Sequence, residues 1–172
     1  MTDISVQIAE KEQALKRWQP EKIRLAAEAI RGGGSVVAQG AVFYCVFGEN
    51  IGSEQNGTEK PEAKWTRLCL VVSSDNHNAH VNTTAIIVPL TTHSGSLERK
   101  RIEKSEYLLY GKNYSFLPKG DSAVMCNQVR TVSRVRFGKY LGKITEDDLE
   151  RVKIRIMFVF GITSRSPETK KV

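Results

Sequence analysis

The sequence predicts an α+β fold that is mainly β: a small, strongly curved antiparallel barrel with helices outside it. Three observations predict it. Between residues 36 and 144 lie five or more short runs rich in Val, Ile, Leu and Tyr, separated by polar loops. One stretch after them, residues 145–159, has helical rather than strand spacing. At 172 residues, 40% hydrophobic and 26% charged, the chain has the length and composition to bury a sizeable core.

Residues 1–34 read as an N-terminal helical arm, 35–163 as the barrel domain and 164–172 as a flexible tail. In the arm, Ile4, Ile8, Leu15 and Trp18 share one helical face. Pro20 opens a second helix bearing Ile23, Ala26, Ala27 and Ile30, and Gly32-Gly33-Gly34 ends it. The arm could pack on the domain, dimerise or dock a partner, and packing is expected.

Strands are expected at residues 42–47, 67–73 and 83–90, with Pro89 marking an edge or a strand end. Residues 75–82 read as a polar turn and 94–105 as a basic loop or short helix. Residues 107–109 and 114–117 suggest a hairpin about Gly111, followed by strands at 123–130 and 138–144. Thr145 is placed to cap a helix with Glu146, Asp147 and Asp148 in its first turn and Leu149, Val152, Ile156 and Val159 as its stripe. Residues 156–160 are apolar on nearly every side, so the barrel and arm, or a second subunit, should cover them.

Composition excludes several classes. No apolar run approaches the ~18–20 residues that span a bilayer, and the first ten residues lack a signal-peptide pattern. A cytoplasmic protein is therefore expected. Cys45, Cys69 and Cys126 each lie in an apolar run without Cys-x-x-Cys spacing, as free core cysteines do. The net charge is +7 and the pI 9.4. Residues 94–143 hold eleven Lys and Arg against four Asp and Glu, equal to the whole excess. Such a region suits an anionic partner such as nucleic acid, or else a solvated basic surface.

The stretch 48–57, Gly-Glu-Asn-Ile-Gly-Ser-Glu-Gln-Asn-Gly, is too long and too polar for a simple hairpin tip. His77, His80 and His93 would need Asp75 to build a metal site, but the first two read as solvated turn residues, and no cofactor is expected. Catalytic triads, phosphate loops and dinucleotide glycine patterns are absent from the sequence. What remains are polar residues at strand ends: Ser53, Glu54, Gln55, Arg67, Thr91 and Thr92. Asn127, Gln128 and Arg130 interrupt an apolar run, which implies a buried hydrogen-bond network or the floor of a ligand site.

Four segments together carry a family resemblance. Gly52-Ser-Glu-Gln-Asn-Gly57, Arg67 opening a Leu/Val strand, Ile86-Ile-Val-Pro-Leu-Thr-Thr92, and Asp121-Ser-Ala-Val-Met-Cys-Asn-Gln-Val-Arg-Thr131 resemble the successive motifs of the MazF/PemK toxins. The resemblance runs from about residue 39 to 162 and leaves the arm outside. It implies an SH3-like, CcdB/MazF-like barrel, a homodimer, that cleaves single-stranded RNA or mRNA without a metal, leaving a 2′,3′-cyclic phosphate. It also implies a cognate antitoxin with an acidic, partly disordered tail. Carried onto this sequence, the catalytic pair is Arg67 and Thr91, with Lys60 of Lys60-Pro61 as the second candidate cation. Ser53, Glu54, Gln55, Asn127 and Gln128 become substrate-binding residues. This chain departs from the pattern in inserting residues 58–66 and in having Leu68 where the family usually has proline. Two other classes are weighed against this one. A CcdB-like gyrase inhibitor would end in Trp-Gly-Ile, whereas here Phe160-Gly161-Ile162 is followed by ten residues. A catalytically inactive RNA- or antitoxin-binding module would separate Arg67 and Lys60 from Thr91.

Overall fold

The computed structural model describes residues 3–58, 65–79, 84–93, 102–118 and 120–162. In chain order these form helix α1 (Ile4–Ile30), β1 (Ala41–Val46), β2 (Thr66–Val71), α2 (Asp75–Ala79), β3 (Thr84–Thr92), β4 (Glu106–Leu109), β5 (Ser122–Met125), β6 (Arg130–Ser133), β7 (Phe137–Lys143) and α3 (Glu146–Val159). The strands make one antiparallel, open, barrel-like sheet in the order β4-β5-β3-β2-β1-β7, with β6 also paired to β3. Register shifts on either side of Phe43 bend β1 against β7, and such bulges increase curvature.

β3 is the hub. One edge pairs with β2 through Ile87–Pro89, whereas the other pairs first with β6 (Thr84–Ile87) and then with β5 (Leu90–Thr92). The expected edge position of Pro89 is thus corrected. It is fully buried in a central strand, at the place where β3 changes partners and a ladder N–H is not required.

Both sheet faces are covered. Val42, Leu70, Val88, Leu109 and Val124 pack against Leu149 and Val152 of α3, while Phe43, Cys45, Cys69, Ile87 and Phe137 form a second core. The three cysteines are free and buried. Thr145 caps α3 by accepting from the Asp148 amide at 3.3 Å. The Tyr107 and Tyr114 hydroxyls both donate to the Asp148 carboxylate, tying the start of the helix to the barrel. Burial, followed by the hydrogen bond to Asp148, pushes both phenols upward in pKa, so they remain donors. Thr145→Ala should cost about 1 kcal/mol. An unchanged urea midpoint would show that the cap contributes nothing.

Several expected elements change. The arm is one continuous helix with Pro20 inside it. The proline withdraws one hydrogen bond from the Lys16 carbonyl, but burial of Trp18 and Leu25 on either side holds the helix together. The buried stripe is Ala14, Trp18, Leu25 and Ala29 against Trp65 and Val135, so the arm packs on the barrel. Ile4, Ile8, Leu15, Ile23 and Ile30 lie exposed on a neighbouring stripe. Residues 75–79 form a short helix, with Asn78 buried and bonded to Ser73. The hairpin about Gly111 does not form, because β4 pairs with β5 instead. The single strand expected over 123–130 is broken by a 3-10 turn at Cys126–Gln128. Residues 156–160 are not fully covered: Met157, Val159 and Phe160 are 36–59% exposed. The tail 164–172 and most of the basic loop lie outside the described residues.

Candidate active site

The loop between β1 and β2 is closed at its base by backbone bonds. The Phe47 amide donates to the Trp65 carbonyl at 2.8 Å, the Gly57 amide to the Gly48 carbonyl at 2.9 Å, and the Thr58 amide to the Thr66 carbonyl at 2.9 Å. Gly57 lies so close to the Trp65 backbone that a Cβ there would be 1.8 Å from its carbonyl oxygen. Within the loop, Asn56 accepts from the Asn50 amide at 2.7 Å and donates to Glu49 at 3.0 Å. The Asn50 side chain donates to the Gln55 carbonyl at 2.7 Å. The loop is therefore a self-bonded unit rather than a slack hairpin tip.

Arg67 leaves β2 beside this loop, its Nε donating to the Asn56 carbonyl at 2.8 Å. Among the described residues the guanidinium bonds only through Nε. Burial draws its pKa down, yet an arginine remains cationic at any physiological pH. Arg67 and Thr91, from neighbouring strands β2 and β3, line one open cleft of about 370 Å³ with Tyr44, Thr66, Thr92 and Ser122. Among the described residues the cleft thus offers one cation and a rim of hydroxyls, a donor set suited to a phosphate group.

The other expected site residues stand to the side of it. Gln128 donates to the Ser53 carbonyl at 3.4 Å, and Glu54 lies 4.0 Å from Arg130. The 126–128 turn and the 48–57 loop thereby meet, with Ser53, Glu54 and Asn127 exposed. None of Ser53, Glu54, Gln55, Asn127 and Gln128 lines the cleft itself. Asn127 and Gln128 are turn residues rather than mid-strand ones, so no buried network is needed to satisfy them. Lys60 lies outside the described residues.

Sequence reasoning missed Tyr44 and Ser122. The β1–β2 register sets Tyr44 opposite Leu68, and the β3–β5 register sets Ser122 opposite Thr92. Neither pairing has a local signal in the sequence. Part of the basic region is also engaged within the fold. Arg134 donates to the Ser35 carbonyl at 2.6 Å, Arg136 to the Val46 carbonyl at 2.9 Å, and Arg130 lies over the Phe47 ring. These three cations are spent partly on holding the fold.

The histidines also depart from expectation. His77 is half-buried, its Nε2 without a partner among the described residues, and His80 lies outside them. His93 is buried just beyond Thr91, its Nδ1 likewise without a partner among the described residues. Among these residues no group of three or more His, Cys, Asp or Glu is placed to hold a metal, and no helix is long and apolar enough to cross a membrane.

The fold and site together are those of a small, open antiparallel barrel with an arginine- and hydroxyl-lined cleft beside a glycine-asparagine loop. Residues 38–160 match the model of the PemK-like, MazF-like toxins of type II toxin–antitoxin systems, and the chain belongs to that family. The match leaves α1 outside. Among solved structures, MazF (Form-I) from Deinococcus radiodurans is 20% identical with a TM-score of 0.56, covering 74% of this chain and 98% of that one. An endoribonuclease in complex with its cognate antitoxin from Mycobacterial species is 19% identical with a TM-score of 0.52, covering 75% and 99%. At these identities the likeness establishes the fold. A comparison with curated proteins finds no match.

Proposed function

We propose that this chain is the toxin of a type II toxin–antitoxin pair and acts as a metal-independent, sequence-specific endoribonuclease on single-stranded RNA. The observation that carries the reading is that Arg67 and Thr91 line one cleft inside the family-matched region. RNA supplies its own nucleophile, the 2′-hydroxyl, which attacks the adjacent phosphorus and expels the 5′-oxygen. The products are a 2′,3′-cyclic phosphate and a 5′-hydroxyl. Arg67 stabilises the negative charge that develops on the phosphoryl oxygens, and its pKa makes it a poor base. Thr91 orients the 2′-hydroxyl or a phosphoryl oxygen. Ser53, Glu54, Gln55, Asn127 and Gln128, beside the cleft rather than in it, are suited to reading the edges of unstacked bases.

The partners follow from the same reading. A second copy covers the exposed end of α3. An acidic antitoxin segment folds into the RNA cleft and blocks it. The site of action is the cytoplasm. The shared cleft counts against an inactive binding module, and Phe160, standing in Phe160-Gly161-Ile162 where a gyrase-poisoning tail has Trp, counts against gyrase poisoning. The test is incubation with a long RNA in excess EDTA, followed by mapping of the ends. Cuts at a recurring short sequence, with 2′,3′-cyclic phosphate termini, are expected. Intact RNA with inhibited DNA supercoiling would replace this reading with the gyrase one.

A further inference from the structure

We infer that α1 is a positioning strut for the catalytic arginine, with Lys11 and Trp18 as its two points of attachment. The inference rests on Arg67 being catalytic, as proposed above, and adds a role for a segment that lies outside the family match.

The first attachment is a relay of hydrogen bonds that runs through the Glu49 and Asn56 side chains and ends on the Asn56 backbone carbonyl. Lys11 pairs with the Glu49 carboxylate and also donates to the Asn50 carbonyl. Glu49, only 10% exposed, accepts in turn from the Asn56 side chain at 3.0 Å. The Asn56 carbonyl holds Arg67 Nε at 2.8 Å. Four groups thus connect the first half of α1 to the guanidinium, and each bond fixes the next residue. Removing Lys11 leaves a buried carboxylate whose remaining described partner is Asn56, the residue that positions Arg67. The pair is partly buried, its side chains 34% and 10% exposed, so breaking it costs stability as well as geometry.

The second attachment acts through the backbone. Trp65 has φ 60°, the left-handed region that bulky residues rarely occupy. It lies two residues before Arg67 and immediately before β2. Its ring packs on Trp18, with centroids 5.7 Å apart and planes at 58°. Trp18 fits there because Gly48 has no side chain, since a Cβ would lie 2.4 Å from its ring. Arg136 stacks over Trp18 and donates to the Val46 carbonyl at 2.9 Å, locking the end of β1 to the same point. Such strain persists only where the surroundings over-determine it, and α1 supplies those surroundings.

The experiment compares wild type, Lys11→Met and Lys11→Arg in the full chain, by steady-state RNA cleavage and by amide exchange at Asn50 and Gly57. Lys11→Met should lower kcat about tenfold with KM within about twofold, because misplacing a catalytic group degrades the chemical step more than binding. The Asn50 and Gly57 amides should exchange faster by more than any fall in the thermal midpoint accounts for, and Lys11→Arg should recover most of the rate. Unchanged exchange in Lys11→Met would overturn the strut. Faster exchange with an unchanged kcat would overturn its role in positioning Arg67. A wild-type chain that leaves RNA intact would overturn the ribonuclease reading, and the exchange rates would then still decide whether α1 holds the loop.

Discussion

Arg67→Ala is expected to slow RNA cleavage by about 100- to 1,000-fold, the loss seen when one preorganised donor is removed from a developing oxyanion. The effect should fall on kcat, because the remaining cleft and the neighbouring loop still bind RNA. Arg67→Lys should lie between the two, since a lysine keeps the charge but loses the planar fork that can hold two phosphoryl oxygens. Thr91→Ala should lower the rate by a smaller factor, and Thr91→Ser should restore most of it because the hydroxyl is kept. Both residues sit at paired positions, Arg67 opposite Cys45 and Thr91 opposite Ala123, so these exchanges leave the ladder intact. Single-turnover cleavage of a defined RNA is the measurement. Full activity in both alanine variants would remove Arg67 and Thr91 from the mechanism.

The largest structural effect should come from Gly57→Ala. The added Cβ would lie 1.8 Å from the Trp65 carbonyl oxygen and 2.2 Å from its carbon, both backbone atoms that cannot rotate aside. Relief requires parting Gly57 from Trp65, which also strains the bonds to Gly48 and to the Thr58–Thr66 bridge. A loss of roughly 3 kcal/mol is expected, lowering the thermal midpoint by about 6–12 °C for a domain of this size. Gly52→Ala is the control. It has φ +59° but nothing within 4 Å of the added carbon, so only the backbone preference of about 1–2 kcal/mol is lost. Equal midpoints for the two variants would show that the contact with Trp65 does not constrain the loop.

The sequence carried the elements that rest on local chemistry. The Thr145 cap is legible because its three following acids and apolar stripe are all local. β1 and β2 are legible because each is a compact run bounded by polar residues. The shared cleft of Arg67 and Thr91 was also legible, since each sits at the end of an unmistakable strand. The face of α1 was not. The helix carries two adjacent apolar stripes, and periodicity cannot say that Trp18 rather than Ile23 finds a slot. That choice is made 30 residues later in the chain, at Gly48. Residues 123–130 misled for a related reason. Asn127 and Gln128, which interrupt their apolar run, mark a turn between two different pairings of β3 rather than polar positions within one strand.

That exchange of partners along β3 has an evolutionary consequence. On its β5/β6 edge, β3 is unpaired at Val88 and Pro89, so the turn bearing Asn127 and Gln128 sits in a gap in the ladder. Its exposed residue can vary between generations without rewriting the register that places Thr91 or Arg67. On the proposed ribonuclease reading, target preference and cleavage chemistry would be separately heritable, so that a lineage could change which RNA it cuts while the cutting apparatus stays as it is.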